Sequence, residues 1–254
     1  MSDPVIYVEI VAARGSSPRE VGTAMQVGAT HVAGTIGGGA LEHRAIAEAR
    51  ALLDAGGDGR VLTLPLGPAL GQCCGGSVSL LFTRDRREID TSPPVVHPVT
   101  EDRGPPRPLW LWGAGHVGRA VVRACPPAAH AITWVDDAAD RFPSCVPDRV
   151  DVVVARNMAR LAASAPQDAQ HLIFTYSHEI DLALCAALLD RGAAGIGLIG
   201  SDTKWRRFRN RLEALGLDPR AITCPIGDKS LGKHPDAIAR GVVARLASER
   251  EVSA

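Results

Sequence analysis

The stretch Gly113-Ala114-Gly115-His116-Val117-Gly118 limits the fold of this chain more than any other. It is a G-x-G-x-x-G run, and its surroundings give it meaning. The apolar segment Leu109-Trp110-Leu111-Trp112 before it reads as a short strand, and the turn opens a helix through Arg119 to Ala124. Some way on, Ile132-Thr133-Trp134-Val135 reads as a second strand that ends at Asp136-Asp137. Strand, glycine turn, helix, strand and acid in that order make a dinucleotide-binding unit. The glycines allow a tight turn and close approach to a pyrophosphate, and the acid meets a ribose hydroxyl. Gly113, Gly115, Gly118 and Asp136 are therefore the expected nucleotide-site residues, and an acid at 136 favours a ribose without a 2′-phosphate.

Alternation continues to the end of the chain. Strands are expected at 150–154, 171–175, 195–199 and 221–224, with helices over 180–190, from Gly200-Ser201-Asp202 through Leu215, and over 235–245. Such alternation predicts an α/β fold with a mostly parallel, doubly wound sheet and helices on both faces.

The first half reads differently. Val5 to Val11 is β-rich and leads into Arg14-Gly15-Ser16-Ser17-Pro18-Arg19-Glu20, which is either an ordered turn beside an anion or a surface turn with solvated arginines. Short strands are expected at 24–27 and 31–33. Thr35-Ile36-Gly37-Gly38-Gly39 then runs into a helix whose Leu41, Ala45, Ile46, Ala49, Leu52 and Leu53 recur at helical spacing. Free amides and the positive end of the helix dipole make Gly37, Gly38 and Gly39 a natural phosphate seat. Glu42, in the first turn, either offsets the dipole or contacts a ligand. Between the expected strands 60–64 and 77–82 lies Leu70-Gly71-Gln72-Cys73-Cys74-Gly75-Gly76. Neighbouring side chains on a regular strand point to opposite faces, so two thiols meet one ligand only where the backbone bends, as glycines permit. The pair is either an inert hairpin or a thiolate site favoured by nearby amides.

The periodicity breaks off over residues 85–107, where Pro93, Pro94, Pro98, Pro105 and Pro106 accumulate. That composition predicts a stiff linker between a small α/β domain at 1–84 and a Rossmann-like domain at 108–254. Composition excludes several functions. Basic and acidic residues number 28 each and aromatics make up 4%, which argues against nucleic acid as a partner. No apolar run reaches the roughly 18 residues of a membrane span, and no signal-peptide pattern opens the chain. Six scattered cysteines without a C-x-x-C point to reduced thiols and a cytoplasmic location.

No histidines fall at metal-ligand spacing, and His116, His178 and His234 do not form a recognisable hydride-transfer set. His178 is expected to cap a helix. Lys204, Arg206, Arg207, Arg209 and Arg211 form either a solvated helical face or a docking surface for an acidic or phosphorylated partner.

Taken together, Gly15 to Arg19, Thr35 to Glu42 and Leu66 to Gly76 resemble the XdhC/CoxI family. In the second half Gly113 to Val117, Ile199-Gly200-Ser201, Pro225-Ile226-Gly227 and Pro235 to Ala239 agree. One departure is Asp228-Lys229-Ser230-Leu231-Gly232, where many relatives carry a shorter apolar continuation. The resemblance implies a homodimeric molybdenum-cofactor chaperone without turnover of its own. It would hold the cofactor, present it to a cysteine desulfurase for sulfuration and deliver it to apo-xanthine dehydrogenase. On this reading Cys73 and Cys74 lie at the molybdenum, Gly37 to Gly39 and Arg19 at the pterin phosphate, and the Rossmann turn holds a nucleotide. The alternatives are a nicotinamide-dependent oxidoreductase and a thiol redox or soft-metal-binding protein.

Overall fold

The computed structural model describes residues 4–15, 17–57, 59–66, 76–89, 106–126 and 129–252. The chain divides into two compact units, Met1–Pro93 and Pro94–Ala254.

The first unit is an antiparallel sheet with one helix. Its strands are β1 (Val5–Arg14), β2 (Ala24–Gly28), β3 (Val32–Gly34), β4 (Arg60–Leu66) and β5 (Gly76–Thr83), in the order β3-β2-β1-β5-β4. Helix α1 (Gly39–Asp54) follows β3. In β1 every second residue of Val5 to Ile10 is buried, the alternation of a sheet with one face against the core. Ile6, Val8, Ile10, Leu80 and Phe82 pack there against Leu41, Ala45 and Ala49 of the helix. β1 is longer than the composition suggests. The register shifts between Ile10 and Ala12, and the bulged strand continues until Arg14 pairs with Ser77. Pro65 is tolerated because β4 is an edge strand.

The second unit is a parallel sheet of six strands: β6 (Arg107–Trp112), β7 (His130–Asp136), β8 (Val150–Val154), β9 (Gln170–Ile173), β10 (Gly195–Leu198) and β11 (Ile222–Thr223). Their order is β11-β10-β9-β6-β7-β8. This is the doubly wound arrangement, with the strand order reversing between β6 and β9. Helices α2 (His116–Ala124) and α6 (Pro235–Val252) cover one face, where Leu109, Leu111 and Trp134 meet Val121, Val242 and Leu246. Helices α3 (Met158–Ala162), α4 (His178–Arg191) and α5 (Asp202–Ala214) cover the other, where Trp112, Val135 and Ile173 meet Leu182, Leu188, Phe208 and Leu212. Successive residues of a buried strand thus serve opposite cores. The periodicity does not reveal the short α3. Asn157, whose side chain accepts from the Arg160 amide, is the cap that marks its start.

Candidate functional sites

In the first unit, the ends of β3, β4, β1 and the start of β5 share one end of the sheet. Gly34 pairs with Met25, Leu66 with Gly76 and Arg14 with Ser77. Residues 67–75, Cys73 and Cys74 among them, lie outside the described residues; the strand residues that flank them sit at this end.

The glycine turn and Arg19 come together here. Gly37, Gly38 and Gly39 have φ of 122, 72 and 64°, the left-handed region in which a side chain is strained. A Cβ on Gly37 would stand 2.5 Å from Pro18 Cβ and 3.5 Å from Arg19 Cγ. The Ser17–Arg19 loop is therefore packed onto the turn, with Arg19 buried. The turn binds an anion of its own. Glu42 Oε2 accepts from the Ile36 amide at 3.0 Å, the Gly38 amide at 3.1 Å and the Thr35 hydroxyl at 2.5 Å. The role of Glu42, open on spacing alone, is thus to cap this turn from the first helical turn. Two of the amides around the expected phosphate seat carry that carboxylate.

In the second unit the G-x-G-x-x-G turn follows β6. Gly113 has φ 118°, and a Cβ there would stand 2.6 Å from the Phe174 carbonyl oxygen. A Cβ on Gly118 would overlap the Gly113 carbonyl oxygen, which also accepts from Trp134 Nε1 at 2.9 Å. Gly115 differs. It is exposed, it precedes the first residue of α2, and a Cβ on it would meet nothing within 4 Å. Two glycines are needed for packing, and the third leaves ground a phosphate can approach.

Asp136 closes the turn from the end of β7. Its Oδ2 accepts from the Ala114 amide at 2.5 Å, and its Oδ1 accepts from the Asp137 amide at 2.7 Å and lies 3.1 Å from Arg141 Nε. The residue is 2% exposed. Burial pushes its carboxyl up to about 6, against the pull of the Ala114 amide. Asp137 goes the other way. Burial would raise it, yet the Tyr176 hydroxyl, the Asp136 side chain and Arg141 together hold it below the usual carboxylate value. Arg141 Nε donates to Asp137 Oδ1 at 2.6 Å, and its guanidinium lies 3.9 Å from the centre of the Tyr176 ring. Sequence patterning singles out neither residue: Arg141 lies four residues after Asp137 in a short turn that periodicity does not mark, and Tyr176 joins the group only through the sheet order.

A buried polar network lies at the carboxyl ends of β9 and β10. Lys204 Nζ donates to Asp181 Oδ2 at 2.5 Å and to the Ile199 carbonyl at 2.9 Å. Asp181 Oδ1 accepts from the Thr175 amide at 3.1 Å and hydroxyl at 2.6 Å. Of the basic residues expected on one helical face, Lys204 points inward, in line with Phe208 and Leu212 four and eight residues on. That spacing is the signal that would have placed it. His178 is the first residue of α4, whose cap is Ser177, accepting from the Ile180 amide. Its ring stands edge-on to Phe208, and burial with the Lys204 charge lowers its pKa to about 4, so it is neutral at pH 7.

Among the described residues no three of His, Cys, Asp and Glu gather as a metal site, and no helix is long and apolar enough to cross a membrane. Residues 109–246 match the model of the XdhC Rossmann domain, and residues 2–64 that of the XdhC and CoxI family. The chain belongs to the XdhC/CoxI family. This XdhC-family chain is 25% identical over 251 residues to YqeB, an uncharacterized protein of Escherichia coli K12. The match takes in 96% of the chain but only 43% of YqeB's length. In fold the chain is similar to a crystal structure of a xanthine dehydrogenase from Bacillus halodurans, at a TM-score of 0.52 and 19% identity. That likeness covers 99% of this chain and 93% of the other.

Proposed function

We propose that the chain serves the maturation of xanthine dehydrogenase as a carrier of molybdenum cofactor. In this reading it binds and protects the cofactor, presents it to a cysteine desulfurase for sulfuration and hands it to the apo-enzyme. It acts in the cytoplasm, as a homodimer and without turnover. The observation that carries the reading is that both family models match, one in each unit, and together they take in most of the chain. The geometry supports it in one respect: Arg19 and the Gly37–Gly39 turn lie together, at the sheet end from which residues 67–75 depart. A soft thiolate at Cys73 or Cys74 suits molybdenum, and a guanidinium suits a phosphate.

The Rossmann turn fits a nucleotide, because Gly115 leaves open ground at the start of α2 while Gly113 and Gly118 hold the turn. When bound, a nucleotide would supply a phosphate for the amides of that turn and a sugar within reach of the β7 end. The same feature favours the second reading, a nicotinamide-dependent oxidoreductase.

The test is to purify the protein anaerobically from cells that make the cofactor. Molybdenum and the fluorescent oxidised pterin are then measured for wild type and for Cys73→Ala/Cys74→Ala. Near-equimolar metal and pterin that vanish in the double variant are the expected result. Neither metal nor pterin, beside saturable NAD(H) binding, would overturn the carrier and favour the oxidoreductase instead. Retention of both in the double variant would keep the carrier and move its site away from the cysteines.

A further inference from the structure

Asp137 and Tyr176 follow strands that are not neighbours. β6 lies between β7 and β9, and its carboxyl end leads into the Gly113–Gly115 turn. The Tyr176 hydroxyl nevertheless donates to Asp137 Oδ2 at 2.6 Å. Adjacent strands stand about 4.8 Å apart, so the tyrosine and the carboxylate together span about two strand spacings, across the end of β6. Arg141 holds both parts. It stacks on the Tyr176 ring at 3.9 Å and donates to the other oxygen of Asp137 at 2.6 Å. In a doubly wound sheet, the crevice beyond the strand ends where the order reverses is the ligand's place, and here that point lies between β6 and β9.

We propose that Tyr176, Asp137 and Arg141 form a strap across the mouth of this crevice, which must open before the sugar of a nucleotide can reach the carboxyl end of β7. The proposal rests on the reading of the Rossmann turn as a nucleotide site. Asp136 is not part of what moves. It is buried beneath the strap and bound to the Ala114 and Asp137 amides. Asp137 and Arg141 are different, keeping 21% and 25% of their side-chain surface, so an entering ligand meets them first. Every bond of the strap is made by a side chain, so opening it needs rotamer changes only and leaves the parallel sheet intact.

A closed strap lowers apparent affinity in proportion to the fraction of molecules that are open. Removing one charge-assisted hydrogen bond raises that fraction on the order of tenfold. The test titrates the full chain with NAD+, AMP, GMP and CMP by calorimetry and stopped flow. Wild type is compared with Tyr176→Phe, which keeps the ring under Arg141, and with Asp137→Ala. Melting curves confirm that each variant is folded. The expected result is that both variants bind the preferred probe about tenfold tighter, with the gain in the association rate. Unchanged or weaker binding in both variants, beside clear binding by wild type, overturns the strap and leaves the nucleotide site standing. No binding of any probe by any of the three proteins overturns the nucleotide site and the strap with it.

Discussion

Lys204 donates to Asp181 at 2.5 Å where the two side chains keep only 6% and 1% of their surface. The pair ties the first turn of α5 to α4, and through Thr175 and Ile199 it ties both helices to the ends of β9 and β10. Charges so deep are costly alone, and breaking such a pair costs about 3–5 kcal/mol because the remaining ion stays buried.

Lys204→Met is therefore expected to destabilise the second unit by about 3–5 kcal/mol. Asp181→Leu/Lys204→Met, which leaves no lone charge, should lose less than the single variant. All four tryptophans of the chain (Trp110, Trp112, Trp134 and Trp205) belong to this unit, so their emission in a urea titration follows its unfolding. A double variant that loses as much as the two single variants summed would show that the ions do not act as a pair.

The three glycines of the Rossmann turn should part company on substitution. Gly118→Ala puts a methyl into the Gly113 carbonyl oxygen and is expected to cost about 1–3 kcal/mol. Gly115→Ala enters open space at a φ of −72° that alanine adopts readily, so stability should stay within about 0.5 kcal/mol of wild type. The methyl then stands where a phosphate would come, and binding of a mononucleotide should weaken. Tryptophan-monitored unfolding beside calorimetric titration of both variants reads the contrast.

Glu42→Gln tests the glycine turn of the first unit. The variant keeps one acceptor but loses the charge that draws in the Ile36 and Gly38 amides and the Thr35 hydroxyl. Hydrogen bonds to a charged group contribute about 1.5–3 kcal/mol, so these two amides should exchange with solvent at least tenfold faster. Exchange rates followed residue by residue check this, with the core amides of β1 as the unchanged reference.

Asp136 gives the stability of the second unit a characteristic pH slope. Its carboxyl is raised from 3.8 to about 6, so the folded state holds this proton more tightly than the unfolded chain does. The stabilising contribution is whole below about pH 4 and is lost as pH rises through about 6. Asp137, lowered rather than raised, acts in the opposite sense: its contribution is whole above its ordinary value and is lost only as pH falls below it, so the two windows do not overlap. Relative to Asp136→Asn, wild type should lose stability between about pH 4 and pH 6. Urea titrations of both proteins across that range measure it, and parallel curves would refute it.

Much of this protein is legible without its tertiary structure, because local chemistry and periodicity are properties of neighbouring residues. The apolar spacing of α1, the β/α alternation of the second unit and the glycine turn with its following acid each depend on a few consecutive residues. The structure confirms the α/β fold, with an antiparallel N-terminal sheet and a Rossmann-like second unit. What a residue faces is a different kind of fact. Asp136 and Asp137 are adjacent and chemically identical. Only the packing of β7 beside β6 turns the first onto the Ala114 amide and leaves the second for Tyr176, 39 residues away. By residue type alone Lys204 is one more charge on a basic helix, and only the fold sets Asp181 beneath it. The anion for the Gly37–Gly39 turn likewise came from the helix the turn introduces. Sequence thus determined which elements form, because a helix or strand is specified by residues within a few positions of one another. The tertiary structure decided which polar groups are spent on the fold and which remain for a ligand, because that depends on residues that meet only when strands distant in the chain lie side by side.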